Sequence, residues 1–124
     1  MENKDLYIIA RELMAPGKGL LAADESATTM FSHFRDVHVA ETDDMQRTYR
    51  DMLFSAPGIE QYLSGVILYD SSMRDTTPDG IPFPDVLASR GIIPGIKVDK
   101  GTLPFDGFPG EVLTQGLDGL GERL

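Results

Sequence analysis

The sequence predicts an α/β fold built on a parallel sheet. Three short apolar runs, residues 19–23, 65–69 and 92–96, lead into charged or hydroxyl side chains. This pattern is typical of buried parallel strands that direct their carboxyl ends at a ligand. Helical patterns separate the runs, and strands that alternate with helices imply right-handed crossovers. Three strands cannot close a barrel, which needs about 250 residues, so the pattern predicts either a small open sheet or the first part of a barrel.

Four helices are predicted from apolar spacing and from residues that favour helix ends. The first has apolar residues at i, i+3, i+4 and i+7 before a Pro16-Gly17 stop. Thr42 is the predicted N-cap of the third helix, and Gly91 is the predicted C-terminal cap of the fourth. The predicted helices are residues 5–14, 26–34, 43–55 and 84–90.

Two loops and a last helix complete the predicted order. Turn-forming residues predict loops over 70–82 and 101–110. Leucines at positions 113, 117, 120 and 124 have helical spacing, and the chain ends within that helix. We therefore expect residues 1–124 to be a single partial domain, truncated at its C-terminal end. Five apolar side chains of the helices are expected in the core: Met30, Phe31, Met45, Met52 and Phe54.

Composition excludes several classes of function. The formal net charge of -9 disfavours nucleic acid and anionic membranes as partners, because both need a positive surface. The chain has no cysteine, and its two histidines, His33 and His38, lack ligand spacing and are expected to be structural or solvated. Neither a disulfide nor a metal site is predicted. Residues 1–5 are polar and no apolar run approaches about 18 residues, so a cytoplasmic protein without a membrane partner is expected.

Lys97 is the most informative charged residue. It follows an apolar strand directly, and lysine is rarely buried without a partner. A lysine in this position binds phosphate as a point charge or, when desolvated, acts as an amine nucleophile. The alternative is a structural ion pair with Asp24 or Asp70 within the sheet. Spacing alone favours neither interpretation.

A second group of polar residues follows the first strand. Asp24 ends that strand, and Ser26 and Thr29 lie at the predicted start of a helix. Hydroxyls and free backbone N–H groups at a helix N-terminus suit a phosphate oxygen, and Asp24 suits a general base or a charge partner. The simpler alternative is that Ser26 only caps the helix. We expect Asp24 and Lys97 to belong to adjacent parallel strands and to face one anion pocket.

Several segments resemble class I fructose-1,6-bisphosphate aldolases, in the family's order and with near-family spacing. The most specific are Leu21-Ala22-Ala23-Asp24-Glu25-Ser26 and Gly95-Ile96-Lys97-Val98-Asp99-Lys100-Gly101. Together the matching segments span essentially the whole chain. The others are 15–19, Tyr49-Arg50, 65–68, Asp79-Gly80 with Pro82-Phe83-Pro84, and 114–120.

The resemblance implies that this chain is the N-terminal portion, about three β/α units, of a (β/α)8 TIM barrel. It implies a glycolytic and gluconeogenic lyase that cleaves fructose 1,6-bisphosphate to dihydroxyacetone phosphate and glyceraldehyde 3-phosphate. The family uses a lysine Schiff base without a metal or cofactor, and the full-length protein is expected to be a homotetramer. Two alternatives are a non-catalytic fragment or phosphate-binding module that needs the rest of the barrel, and a transaldolase-like Schiff-base enzyme, which fits the phosphate-side motifs less well.

The matched motifs also imply roles for individual residues. Asp24 is implied to be catalytic, assisting proton transfer and orienting the intermediate beside the Schiff-base lysine. Ser26 and Thr29 are implied to bind a substrate phosphate through their hydroxyls, and Lys97 through its charge. The Schiff-base lysine and the catalytic glutamates belong to later strands in the family. Lys97 is therefore not the nucleophile, and this chain alone is expected to be inactive.

Two residues depart from the family's pattern. Thr28 stands where the family usually has glycine, which restricts the turn beside the phosphate. His33 stands where the family has an arginine, and an imidazole offers a weaker and pH-dependent charge. These departures predict weaker phosphate binding on that side of the site.

Overall fold

The structure, a computed structural model, describes residues 5–124. Residues 1–4, on which the expectation of a cytoplasmic protein partly rests, lie outside the described part. As far as residue 96, helices and strands follow the predicted order. The helices are α1 (Leu6–Leu13), α2 (Ala27–Asp36), α3 (Asp43–Phe54), α4 (Phe83–Ser89) and α5 (Leu120–Arg123), with 3-10 turns at Ile59–Gln61 and Ser71–Met73. The strands are β1 (Gly19–Ala23), β2 (Leu63–Leu68), β3 (Ile93–Ile96), β4 (Thr102–Pro104) and β5 (Val112–Thr114).

The first three strands form a parallel sheet with β2 in the middle, which confirms the predicted parallel sheet. A glycine in β2 lets α1 approach this sheet closely. A Cβ atom on Gly65 would lie 2.7 Å from Leu13 Cδ2 and 3.2 Å from the Ile93 carbonyl oxygen. A side chain at position 65 would therefore displace α1 or β3.

The predicted caps Thr42 and Gly91 are also confirmed, and Asp5 is found to cap α1. A carboxylate oxygen of Asp5 accepts the Tyr7 N–H at 3.0 Å, and the Thr42 hydroxyl accepts the Met45 N–H at 3.2 Å. Each bond satisfies a donor that the first turn of a helix leaves without an intrahelical partner. Gly91, which follows α4, has the positive φ of 70° that a C-terminal cap requires. No helix within the described range is long and apolar enough to cross a membrane.

The core lies between the sheet and the helices α3 and α4. Phe54 of α3 and Phe83 of α4 are fully buried and meet edge to face, with their ring centroids 5.3 Å apart. Val66 and Leu68 of β2 and Ile92, just before β3, complete this cluster from the sheet side. The packing holds the outer helices against the strands whose ends carry the candidate site.

The predicted core positions on the helices are partly wrong. Met30 and Phe54 are buried as expected, and Phe31 and Met45 are half-buried, whereas Met52 is 62% exposed. The reason is helical geometry. Positions 52 and 54 differ by about 200° around the helix axis, so they cannot both face the sheet.

The segment after residue 101 also differs from its prediction. Instead of a loop followed by a helix from Leu113, β4 and β5 form an antiparallel hairpin in which Leu103 pairs with Leu113. The Phe105 N–H donates to the Glu111 carbonyl at 2.9 Å and closes the turn. Backbone pairing across the hairpin overrides the leucine spacing, and α5 begins only at Leu120, just after Gly119 at positive φ.

The core predicts a contrast between two substitutions in α3. Phe54→Ala should lower the free energy of unfolding by about 3–5 kcal/mol, because it leaves a cavity against Phe83. Met52→Ala, on the exposed side of the same helix, should change it by less than about 0.5 kcal/mol. Urea denaturation of the two variants and the wild type measures the difference. Equal losses would contradict the packing described for α3.

Candidate functional site

The carboxyl ends of the three parallel strands bring Asp24 and Lys97 together. Three residues, one from each strand, are in register across the sheet: Ala23, Leu68 and Ile96. The residues that follow them, Asp24, Tyr69 and Lys97, therefore also form one row. The ladder continues into this row, because the Lys97 N–H donates to the Leu68 carbonyl at 2.9 Å. Lys97 Nζ lies 3.5 Å from Asp24 Oδ2.

The expectation that Asp24 and Lys97 belong to adjacent strands is wrong, because β2 lies between β1 and β3. The two side chains nevertheless meet, since both belong to the same row and a lysine side chain is long enough to cross the intervening strand. Strands are spaced by about 4.8 Å, so Lys97 reaches over two such spacings. Tyr69, which follows β2, lies between them along the row.

Lys97 is held between two carboxylates. Its Nζ lies 2.9 Å from Asp99 Oδ1, closer than the distance to Asp24, and about a third of the lysine side chain is exposed. The hydrogen bond that Lys97 donates to Asp99, with the nearby charges of Asp99 and Asp24, raises the pKa of Lys97 above its ordinary value. Lys97 therefore carries its proton at neutral pH and has no free lone pair for nucleophilic attack.

Asp99 is itself anchored by the loop that follows it. Its second carboxylate oxygen accepts the backbone N–H of Gly101 at 3.2 Å. The hydrogen bond from Lys97 and that from Gly101 lower the pKa of Asp99 below its ordinary value. Both members of the Lys97–Asp99 pair are therefore charged across the neutral range.

The ion pair borders an open cleft of about 650 Å³ at this edge of the sheet. Cationic and anionic side chains and a hydroxyl share its wall, which suits a polar, charged ligand. Parallel α/β sheets bind ligands at the carboxyl ends of their strands, and this cleft has that position. Its lining residues are Ser26, Tyr69, Asp70, Lys97, Asp99, Lys100, Gly101 and Arg123.

Ser26 and Thr29 form a local unit at the N-terminus of α2. The Ser26 hydroxyl oxygen accepts the Thr29 N–H at 3.3 Å, so Ser26 does cap the helix. The two hydroxyl oxygens also lie 3.1 Å apart, within hydrogen-bond distance. Ser26 lines the cleft and Thr29 lies one turn behind it, exposed to solvent. Ser26 therefore has a structural role as a helix cap. Because it also lines the cleft, its hydroxyl can still contact a ligand there.

Asp70 pairs with arginines and not with Lys97, so that part of the structural alternative is wrong. Its carboxylate lies 2.9 Å from Arg74 Nη1 and 3.6 Å from Arg123 Nη2. Arg74, by a hydrogen bond, and Arg123 lower the pKa of Asp70. The other part of the alternative holds, because Lys97 does pair with Asp24.

Arg123 is a residue of the cleft that the sequence did not reveal. Its Nη1 donates to the Val98 carbonyl at 3.1 Å, so α5 lies against the segment that follows the carboxyl end of β3. No local pattern around residue 123 indicates this position. It depends on the β4–β5 hairpin, which was not predicted and which carries the chain back.

The departures Thr28 and His33 both lie on α2, and both are exposed. His38 is exposed as well and has a positive φ of 59°. Within residues 5–124, no group of three or more histidine, cysteine, aspartate or glutamate side chains is arranged to hold a metal ion.

Parallel strands separated by helices, with charged side chains at their carboxyl ends, define the α/β class of ligand-binding proteins. The family model for the glycolytic class-I fructose-bisphosphate aldolases matches residues 5–124. The chain belongs to the class-I fructose-bisphosphate aldolase family.

Individual relatives agree with this assignment. The chain is 47% identical over 124 residues to a probable class 1 fructose-bisphosphate aldolase of Xanthomonas campestris, covering 100% of the chain and 37% of that protein. It is 48% identical over 121 residues to the cytoplasmic isozyme of Cicer arietinum, covering 98% of the chain and 34% of that protein. The chain thus spans about a third of the length of these curated relatives.

A solved structure confirms the fold class. Fructose-bisphosphate aldolase of Plasmodium falciparum, crystallised with TRAP and a small-molecule inhibitor, superposes with a TM-score of 0.87 at 40% identity. The match covers 94% of this chain and 33% of that chain. That aldolase is a TIM barrel, so the open sheet corresponds to part of a barrel.

The ion pair predicts a pH-dependent contrast. Asp99→Asn should lower the pKa of Lys97 toward its ordinary value, whereas Asp85→Asn, on α4, should leave it unchanged. NMR titration of the Lys97 side chain measures both. The stabilisation that Asp99 adds should be present above pH about 4 and lost as the pH falls through the lowered pKa of the folded chain. Acid denaturation that is identical for wild type and Asp99→Asn would contradict the pairing.

Proposed function

We propose that this chain supplies the phosphate-binding wall of a class I fructose-bisphosphate aldolase. The reaction is the reversible cleavage of fructose 1,6-bisphosphate to dihydroxyacetone phosphate and glyceraldehyde 3-phosphate through a lysine Schiff base, without a metal. The observation that carries the proposal is the 3.5 Å approach of Lys97 Nζ to Asp24 at the carboxyl ends of the strands. It places a cation and a carboxylate where such a sheet binds its ligands.

Lys97 binds a substrate phosphate as a point charge in this proposal. Its raised pKa keeps it protonated, which suits phosphate binding and argues against the role of Schiff-base nucleophile. Ser26 and Thr29 add hydroxyl donors at the N-terminus of α2, where backbone N–H groups also favour an anion.

Asp24 is the proposed catalytic residue of this chain. It assists proton transfer and orients the intermediate next to a Schiff-base lysine that the matched motifs do not contain. Asp24 is not among the residues that line the cleft, but its carboxylate lies 3.5 Å from Nζ of Lys97, which does line it. A carboxylate held in this way is positioned to accept a proton from a bound substrate and to stabilise a cationic iminium.

The remaining assignments follow the family resemblance and not the site. We propose that residues 5–124 are part of a barrel domain in a cytoplasmic homotetramer, and that the 124-residue chain alone does not cleave the substrate. Cytoplasmic and cytosolic isozymes among the relatives support the location. The alternative is a phosphate-binding module that folds only with the rest of a barrel.

Borohydride trapping tests the role of Lys97. With fructose 1,6-bisphosphate, the 124-residue chain should remain unlabelled, because the protonated amine of Lys97 does not form an iminium. The product of the complete reading frame should be labelled at a lysine outside residues 5–124. Mass spectrometry locates the label. Labelling at Lys97 would reverse the assigned roles.

Two substitutions in the product of the complete reading frame separate binding from chemistry. Lys97→Met should raise KM by about 10- to 100-fold, because a charged hydrogen bond contributes about 1.5–3 kcal/mol. Asp24→Asn should instead lower kcat by about 10²–10⁴-fold, the usual contribution of general acid–base catalysis. Steady-state kinetics of fructose 1,6-bisphosphate cleavage measures both.

Lys18→Met is the matched control, because Lys18 is exposed before β1, at the opposite ends of the strands. It should leave both constants unchanged. Wild-type kinetics in Lys97→Met and Asp24→Asn would reject the proposed site. Phosphate binding without cleavage by the wild-type product would instead favour the module.

A further inference from the structure

Arg50 is a fully buried arginine in the middle of α3, with only 1% of its surface exposed. Arginine is almost never buried to this extent unless it has partners. Burial lowers the pKa of Arg50, and the nearby carboxylates, Glu25 first, oppose that effect. An arginine nevertheless keeps its proton in proteins, so a positive charge lies beneath the sheet end.

The buried guanidinium contacts the turn that carries the candidate site. Arg50 Nη2 donates to the Glu25 carbonyl oxygen at 2.7 Å. Glu25 stands between Asp24 and Ser26, so this hydrogen bond fixes the peptide that links the proposed catalytic carboxylate to the helix cap. Hydrogen bonds from a charged donor are shorter and stronger than those from neutral groups.

Two polar atoms of these side chains have no partner within residues 5–124. Arg50 Nε and Glu25 Oε2 are both buried and have no hydrogen-bond partner among the described residues. Replacing buried charges with apolar side chains of similar volume is often neutral or stabilising. An arginine with an unsatisfied nitrogen is therefore poorly explained by stability alone, and its hydrogen bond to the turn is the feature that an apolar residue lacks.

We propose that Arg50 is a positioning residue: it holds the Asp24–Ser26 turn so that the Asp24 carboxylate stays against Lys97 and the Ser26 hydroxyl faces the cleft. The proposal rests on the proposed aldolase function for its effect on catalysis. The effect on the turn itself does not depend on that function. Arg50 touches no reacting atom, and it acts through the turn.

Arg90 provides a matched control in the same part of the fold. It follows α4 and donates from Nη1 to the Ala56 carbonyl at 2.8 Å and from Nη2 to the Ser55 carbonyl at 3.1 Å. It therefore holds backbone carbonyls as Arg50 does, but at the C-terminal end of α3, away from the strand ends. Loss of Arg90 should affect stability without disturbing the turn.

The test compares Arg50→Met and Arg90→Met in the product of the complete reading frame. Amide hydrogen exchange of the peptide 24–30, measured by mass spectrometry, should rise about tenfold in Arg50→Met, because the turn opens locally. In the same variant kcat should fall about 10²-fold, since a small displacement of a reacting group has an effect of this size, and KM should rise as well, because the Ser26 hydroxyl moves with the turn. Arg90→Met should leave the exchange of this peptide and kcat at wild-type values.

The readouts separate the two proposals. If the wild-type protein does not cleave fructose 1,6-bisphosphate, the aldolase function fails, and the exchange of peptide 24–30 still decides whether Arg50 holds the turn. If the wild type is active and Arg50→Met matches Arg90→Met in exchange and kcat, the positioning role is overturned.

A second variant keeps the test decisive should Arg50→Met not fold. Arg50→Lys retains a charged donor but loses the planar guanidinium. In Arg50→Lys, both the exchange of peptide 24–30 and kcat should be intermediate. They should lie between the wild-type values and those of Arg50→Met, or of the unfolded chain where Arg50→Met does not fold. Wild-type exchange and kcat in a folded Arg50→Lys protein, with Arg50→Met unfolded, would reduce Arg50 to a structural residue and overturn the proposal.

Discussion

The ion pair between Lys97 and Asp24 depends on the register of three parallel strands. The two residues follow β3 and β1, and they meet only because Ala23, Leu68 and Ile96 lie in one row across β2. Side chains alternate between the faces of a strand, so a slip of one residue would turn Lys97 to the opposite face. The candidate site is therefore a consequence of sheet register.

Core packing on β2 fixes that register. Val66 and Leu68 are buried against the aromatic pair of Phe54 and Phe83, and shifting either strand residue by one position would expose apolar surface to water. Burial of such side chains contributes about 1.5–3 kcal/mol each. On the other side of the sheet, the missing side chain of Gly65 admits Leu13. Residues far from the cleft thus hold the geometry of the charged residues.

As far as residue 96, local signals in the sequence were sufficient for the elements but not for their arrangement. The Thr42 cap and the three apolar strands depend on neighbouring residues, so a local pattern predicts them. Strand order is not local, and for this reason the adjacency expected for Asp24 and Lys97 was wrong although their contact was right. The β4–β5 hairpin and the return of Arg123 depend on pairing between distant segments. The hydrogen bond from Arg50 to Glu25 joins residues on different elements and leaves no mark on spacing.

The charges around Lys97 keep its ammonium group in place for the anion of the proposed site. Asp99 and Asp24 hold the ammonium at 2.9 and 3.5 Å, which keeps it charged and oriented but makes the two carboxylates competitors of any incoming phosphate. Asp99 is also tied to the Gly101 N–H, so it cannot move away without losing a second bond.

In the proposed site a phosphate must therefore share Lys97 and gain its other hydrogen bonds elsewhere, and the free side of Ser26 lies in the same cleft. In the proposed enzyme, phosphate recognition by this third of the barrel consequently depends on Lys97 and on the orientation of the Ser26 turn that Arg50 holds. The position of a buried arginine beneath that turn is then a requirement of the binding site, because its hydrogen bond to the Glu25 carbonyl holds the turn that presents the Ser26 hydroxyl to the cleft.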